Sequence, residues 1–141
     1  MDLTTYQHQA KRTIPADWPA EKKLSHGVYG INSEAGELAG IMQKGFQGHE
    51  FTKYEWAAEI GDALWFLAEI CTAQGLDFSA VARMKIDKLR KRYPDGFDTE
   101  RSVNRDDGPA SMNEVANEHI IYAATEDGLQ LADYKNGSGV D

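Results

Sequence analysis

Residues 30–42 read Gly-Ile-Asn-Ser-Glu-Ala-Gly-Glu-Leu-Ala-Gly-Ile-Met, and residues 57–67 read Ala-Ala-Glu-Ile-Gly-Asp-Ala-Leu-Trp-Phe-Leu. Each is a largely apolar run carrying one pair of acids: Glu34 with Glu37, then Glu59 with Asp62. A spacing of i, i+3 sets both members of a pair on one helix face. Glu34 follows Ile31 by three and Glu59 follows Trp56 by three, so these acids share a side with core residues. Carboxylates are almost never fully buried unless paired or metal-bound. Four acids converging on one inward site repel strongly unless a cation sits among them. Oxygen-only ligands favour a hard cation, with magnesium the first expectation and manganese the second. The bland alternative, four acids facing solvent or capping neighbouring helices, sits poorly with the apolar company they keep.

Working outward, the pattern predicts helices throughout the first two thirds of the chain. Leu3, Tyr6, Gln7, Ala10 and Ile14 give a loose stripe over about residues 2–13, and Pro15 and Pro19 bracket a connection carrying Trp18. A second helix is expected from about Pro19 to Lys44 with Leu24, Val28, Ile31, Leu38, Ile41 and Met42 inward. Gly27 and Gly30 mark a candidate break in it, whereas Gly36 and Gly40 would let a neighbouring helix or a ligand come close. Gly45–Glu50 reads as a loop. Thr52 then opens a third helix, with Glu55 completing a capping box. Trp56, Ile60, Ala63, Leu64, Leu67 and Ile70 follow at helical spacing up to Gly75. Asp77 or Ser79 caps a fourth helix that Pro94 stops. Four amphipathic helices with short connections point to an all-α four-helix bundle.

Beyond about Ser102 the composition changes. Residues 98–141 hold ten acids and three bases, so most of the net charge of −8 belongs to the tail. We therefore divide the chain into an all-α domain, 1–102, and an acidic appendage, 103–141. Within the appendage Asn104–Pro109 reads as a linker, residues 119–134 as a hairpin around Asp127-Gly128 or a short helix, and Asn136–Gly139 as a flexible end. The near-neutral first 97 residues speak against a nucleic-acid groove, which needs a basic surface. No run approaches the roughly 18 apolar residues of a membrane span. The one cysteine, Cys71, lies in an apolar run and reads as a core residue of a reducing, cytoplasmic setting.

Three blocks in order, GINSEAGELAGIMQK at 30–44, EWAAEIGDALWFLAEI at 55–70 and KIDKLRKRYPDGF at 85–97, resemble the MazG-like nucleotide pyrophosphohydrolases of the all-α NTP pyrophosphatase superfamily. The resemblance covers roughly residues 20–102, and all four positions of the family's ExxE…ExxD motif are matched. It implies a four-helix fold and magnesium-dependent cleavage of a nucleoside triphosphate between its α- and β-phosphates. Monophosphate and pyrophosphate are then the products, and dimers or tetramers complete the site. Glu34, Glu37, Glu59 and Asp62 are the expected catalytic metal ligands, with Asp87 a fifth candidate and Glu37 or Glu34 the acceptor of a water proton.

Lys88, Arg92 and, less so, Lys91 could hold phosphates, arginine being suited to bidentate contact. The plainer account is a solvated basic face near a helix C-terminus. Lys44 and Lys53 are further phosphate candidates. For the base, an aromatic can stack and an asparagine can read an edge, which singles out Trp18, His26, Tyr29 and Asn32. Core packing is the plainer role of Trp18 and Tyr29, a satisfied helix histidine that of His26, and core or subunit interface that of Trp56, Trp65 and Phe66. A di-iron bundle needs Glu-x-x-His pairs, and none occurs. A non-catalytic helical module contacting a partner through its acidic tail is the competing class.

Overall fold

The computed structural model describes residues 1–104, 121–125 and 128–132. Helices α1 (Leu3–Ala10), α2 (Ala20–Phe46), α3 (Lys53–Ala73), α4 (Phe78–Arg92) and α5 (Thr99–Val103) account for most of the first stretch. A 3-10 turn, Lys11–Thr13, extends α1. The fold class is all-α, as the periodicity predicts. Strands β1 (Ile121–Thr125) and β2 (Gly128–Ala132) pair antiparallel, Ile121 opposite Ala132 and Thr125 opposite Gly128. Of the two alternatives for 119–134, the described residues 121–125 and 128–132 form paired strands and not a helix. The expected linker, from Arg105 on, and the flexible end at 136–139 lie outside the described residues. Among the described residues no helix is long and apolar enough to cross a membrane.

The chain divides into two compact units, residues 1–83 and 84–141. In the first, local chemistry fixes each helix end. Asp2 caps α1 by accepting from the Thr5 amide at 2.7 Å. Thr52 and Glu55 form the expected capping box: the Glu55 amide donates to Thr52 Oγ1 at 3.2 Å, and the Thr52 amide to Glu55 Oε2 at 2.7 Å. α3 stops in a Schellman motif, with Gly75 at φ +67°, its amide donating to the Thr72 carbonyl, and Leu76 donating to Cys71. α2 ends the same way through Gly48. The Ala80 amide donates to Asp77 Oδ1 at 2.7 Å, so Asp77 caps α4.

The core gathers Ala10, Ala68, Cys71 and Phe78, with Leu3, Tyr6, Leu64, Trp65, Leu76 and Val81 packed around them. Gln7 ties α1 to the α3–α4 connection: its amide donates to the Leu76 carbonyl at 2.9 Å and to Thr72 Oγ1 at 3.2 Å, while its oxygen accepts from Phe78 N. Trp65 Nε1 donates to Thr13 Oγ1 at 2.9 Å, pinning the 3-10 turn onto α3.

Two expectations about α2 are corrected. The helix runs unbroken from Ala20 to Phe46, and Gly27 and Gly30 serve as the close approach instead. A Cβ at Gly27 would lie 2.7 Å from Ile70 Cγ1, and one at Gly30 only 2.1 Å from Phe66 Cε1. Gly36 and Gly40 have nothing within 4 Å. Val28 and Met42, expected inward, are exposed, as are Ile60 and Leu67 on α3. Helices this apolar have more than one buried-looking stripe, and one neighbour covers only one of them.

In the second unit, the last turns of α4 lead to Pro94 and to a turn at Gly96, φ +100°. Asp98 caps α5 by accepting from the Arg101 amide at 2.8 Å.

Candidate metal centre

α2 and α3 meet along the seam that Gly27 and Gly30 make possible, and the acids lie on that seam. Oxygens of Glu34, Glu59 and Asp62 all fall within 4.8 Å of one another. Glu34 and Glu59 are half-buried and Asp62 is exposed. Burial, then the charges of Asp62 and Glu59, raise the Glu34 carboxyl above its ordinary range. Burial and like charge both disfavour the ionised form of this carboxyl. Glu37, one turn further along α2, is exposed and stands outside this trio, although its charge still adds to the shift at Glu34.

Three carboxylates with no nitrogen or sulfur donor make a set that suits a hard divalent ion with open positions for water or substrate. The crowding gives the same indication: a cation would offset the mutual repulsion of three carboxylates this close.

Tyr6 was not singled out by the sequence, yet it belongs to this neighbourhood. Burial first, then the charge of Asp62, raise its phenol. The only sequence signal was its place on the apolar stripe of α1. Glu69 is the second residue the sequence did not reveal. It is fully buried, at 0% exposure, and its Oε2 lies 2.8 Å from His26 Nδ1. A lone acid inside Leu-Ala-Glu-Ile-Cys, seven residues beyond Asp62, was the available clue.

The remaining candidates have their own local surroundings. Asn32 is exposed, and its amide donates back to the Val28 carbonyl at 3.0 Å. Trp18 is half-buried, with the Lys22 ammonium 4.2 Å from its ring centroid. Tyr29, Lys44 and Lys53 are exposed. Asp87 accepts from Arg90 Nη1 at 3.1 Å, an exposed pair on α4. Lys88 and Arg92 are half-buried and Lys91 is exposed on the same helix; the Arg92 carbonyl accepts from Arg101 at 3.4 Å.

A comparison with curated proteins and another with solved structures returned no match. A family model, that of the MazG nucleotide pyrophosphohydrolase domain, matches residues 25–97, which is more than half of the chain and contains all four motif acids. The matched segment holds the α2 and α3 acids that converge here, and the chain belongs to the MazG nucleotide pyrophosphohydrolase family.

Proposed function

We propose that this protein is a magnesium-dependent nucleoside triphosphate pyrophosphohydrolase that cuts between the α- and β-phosphates, releasing a monophosphate and pyrophosphate. The observation that carries the reading is the approach of Glu34, Glu59 and Asp62 to within 4.8 Å, from two helices of the matched segment. These three would hold the ion, with manganese as a substitute, and Glu37 and Asp87 are candidates to join them. The ion would supply charge neutralisation at the phosphate oxygens and acidify the attacking water.

The chain's own groups have separate tasks. Glu34, whose carboxyl is raised by burial and by its acidic neighbours, or Glu37 accepts the water's proton. Lys44, Lys88 and Arg92 take up phosphate oxygens, while Trp18 and Asn32 meet the base. We further propose that the protein works as a homodimer or homotetramer. Val28, Tyr29, Met42, Phe46, Tyr54 and Ile60 are large, exposed and apolar on α2 and α3, which supports a covered face.

The test is product analysis. Pure protein is incubated with each ribo- and deoxyribonucleoside triphosphate, with and without magnesium. Monophosphate plus pyrophosphate appearing only with metal is the expected result. Diphosphate plus orthophosphate would move the cleavage point, and no product from any nucleotide would leave a non-catalytic helical module.

A further inference from the structure

The geometry points to His26 as the residue that reads the hydrogen-bonding edge of the base, with Glu69 as the positioning residue that orients it. This rests on the proposed nucleotide reaction and deepens it. Glu69 is wholly buried on α3, and among the described residues its Oε1 has no hydrogen-bond partner. Its Oε2 meets His26 Nδ1 at 2.8 Å. Where the Glu69 carboxylate accepts this bond, Nδ1 is its donor. Nε2 is then the polar atom left to the ring, and no described residue takes it. The His26 side chain keeps 43% of its surface open. A histidine so exposed would be solvated by water without help. Burying an acid solely to satisfy it is a costly arrangement for a structural role.

The surroundings suit a flat heterocycle. Trp18, Phe66 and Trp65 place their ring centroids 5.2, 5.5 and 6.2 Å from that of His26. Trp18 and Trp65 stand edge-on to the imidazole, which braces the ring in one plane. The position along the seam is also suitable. Glu34 lies eight residues beyond His26 on α2, about 12 Å at the helical rise. Glu69 lies seven beyond Asp62 on α3, two turns along the same face. The Gly30–Phe66 contact falls between the two clusters. A nucleotide with its phosphates at the acids would extend its base over this distance toward His26. With a neutral ring, Nε2 accepts from an exocyclic amino group; as imidazolium it donates to a ring carbonyl. Either way it distinguishes bases that stacking alone cannot.

The full chain is assayed with magnesium and the four deoxynucleoside triphosphates, as wild type, His26→Ala, His26→Gln and Glu69→Gln, with inorganic tripolyphosphate as a base-free substrate. We expect His26→Ala to lower kcat/KM for the preferred nucleotide by about tenfold or more through KM, with kcat changed by less than about threefold. The spread among the four bases should collapse, while tripolyphosphate cleavage should not respond. Glu69→Gln should move the same ratio in the same direction by a smaller factor. Should Glu69→Gln lose its helical circular dichroism, the two half-exposed His26 variants still decide. An unchanged ranking of bases in folded His26→Ala, or a wild type indifferent to the base, overturns the inference and leaves the reaction standing. A wild type that cleaves no nucleotide overturns the reaction itself and the inference with it.

Discussion

Gly30 lies against the ring of Phe66, where a methyl group would come within 2.1 Å of Cε1. The ring cannot simply swing away. It is braced by Trp65 at 5.0 Å and His26 at 5.5 Å between centroids. Close approach of α2 and α3 therefore depends on this glycine, and the convergence of Glu34 with Glu59 and Asp62 depends on the approach.

Gly30→Ala and Gly36→Ala should consequently move stability in opposite directions. Overpacking at Gly30 costs about 1–3 kcal/mol, which outweighs the helix propensity gained. Gly36 has open space around it, so alanine there should stabilise by about 0.5–1 kcal/mol. Urea midpoints of the two variants check this, and midpoints shifted in the same direction would refute the packing account.

Glu59→Gln should lower turnover by at least about two orders of magnitude while the helices stay folded, because charge stabilisation by a held metal amounts to several kcal/mol. Thermal unfolding supplies an independent readout. Magnesium at about 100 times its dissociation constant should stabilise the wild type by about 2.7 kcal/mol and the variant far less. Glu37→Gln, outside the trio, should retain more of that stabilisation than Glu59→Gln. A folded Glu59→Gln protein with wild-type turnover would remove the acids from the chemistry.

Much of this was legible in the residues, for local reasons. The Thr52–Glu55 capping box, the stops at Gly75 and Pro94 and the two acid pairs are encoded within a few positions of one another. What was not legible depends on pairing between distant segments. Gly27 and Gly30 differ from Gly36 and Gly40 only by which of them α3 reaches, and no local pattern carries that. Val28 and Met42 have the same apolar chemistry as Ile41, yet only Ile41 is buried. Glu69 looked like one acid among many until α2 brought His26 to it across 43 residues.

Gln7→Leu should destabilise the first unit by about 1–3 kcal/mol, since it strips partners from the Leu76 carbonyl and the Phe78 amide where the chain turns from α3 into α4. Hydrogen exchange localises the loss. The Phe78 amide should exchange faster in the variant, while amides in the middle of α2 keep their protection. Uniform acceleration across both would mean that Gln7 supports the unit as a whole and not this junction.

The crowding at Glu34 makes a pH dependence with a definite sign. Its carboxyl is raised above the ordinary value of 4.5 by burial, then by Asp62 and Glu59. A raised folded-state value means that Glu34 contributes stability fully present below its unfolded value, and loses it as pH rises through the folded one. Asp2, Glu55 and Asp77 run the other way. Their carboxyls are lowered, mainly by hydrogen bonds from Thr5, Thr52 and Thr4 respectively, so their contribution is lost as pH falls. The whole-protein profile mixes both, and the comparison that isolates Glu34 is wild type against Glu34→Gln in metal-free buffer. The variant should gain on the wild type as pH rises from below 4.5 toward neutrality, because glutamine cannot acquire the repelled charge. Magnesium at neutral pH should reverse that order by stabilising the wild-type trio more than the variant. A stability difference that stays flat across this range, measured by urea unfolding at each pH, would mean that the three acids are not held close enough to repel.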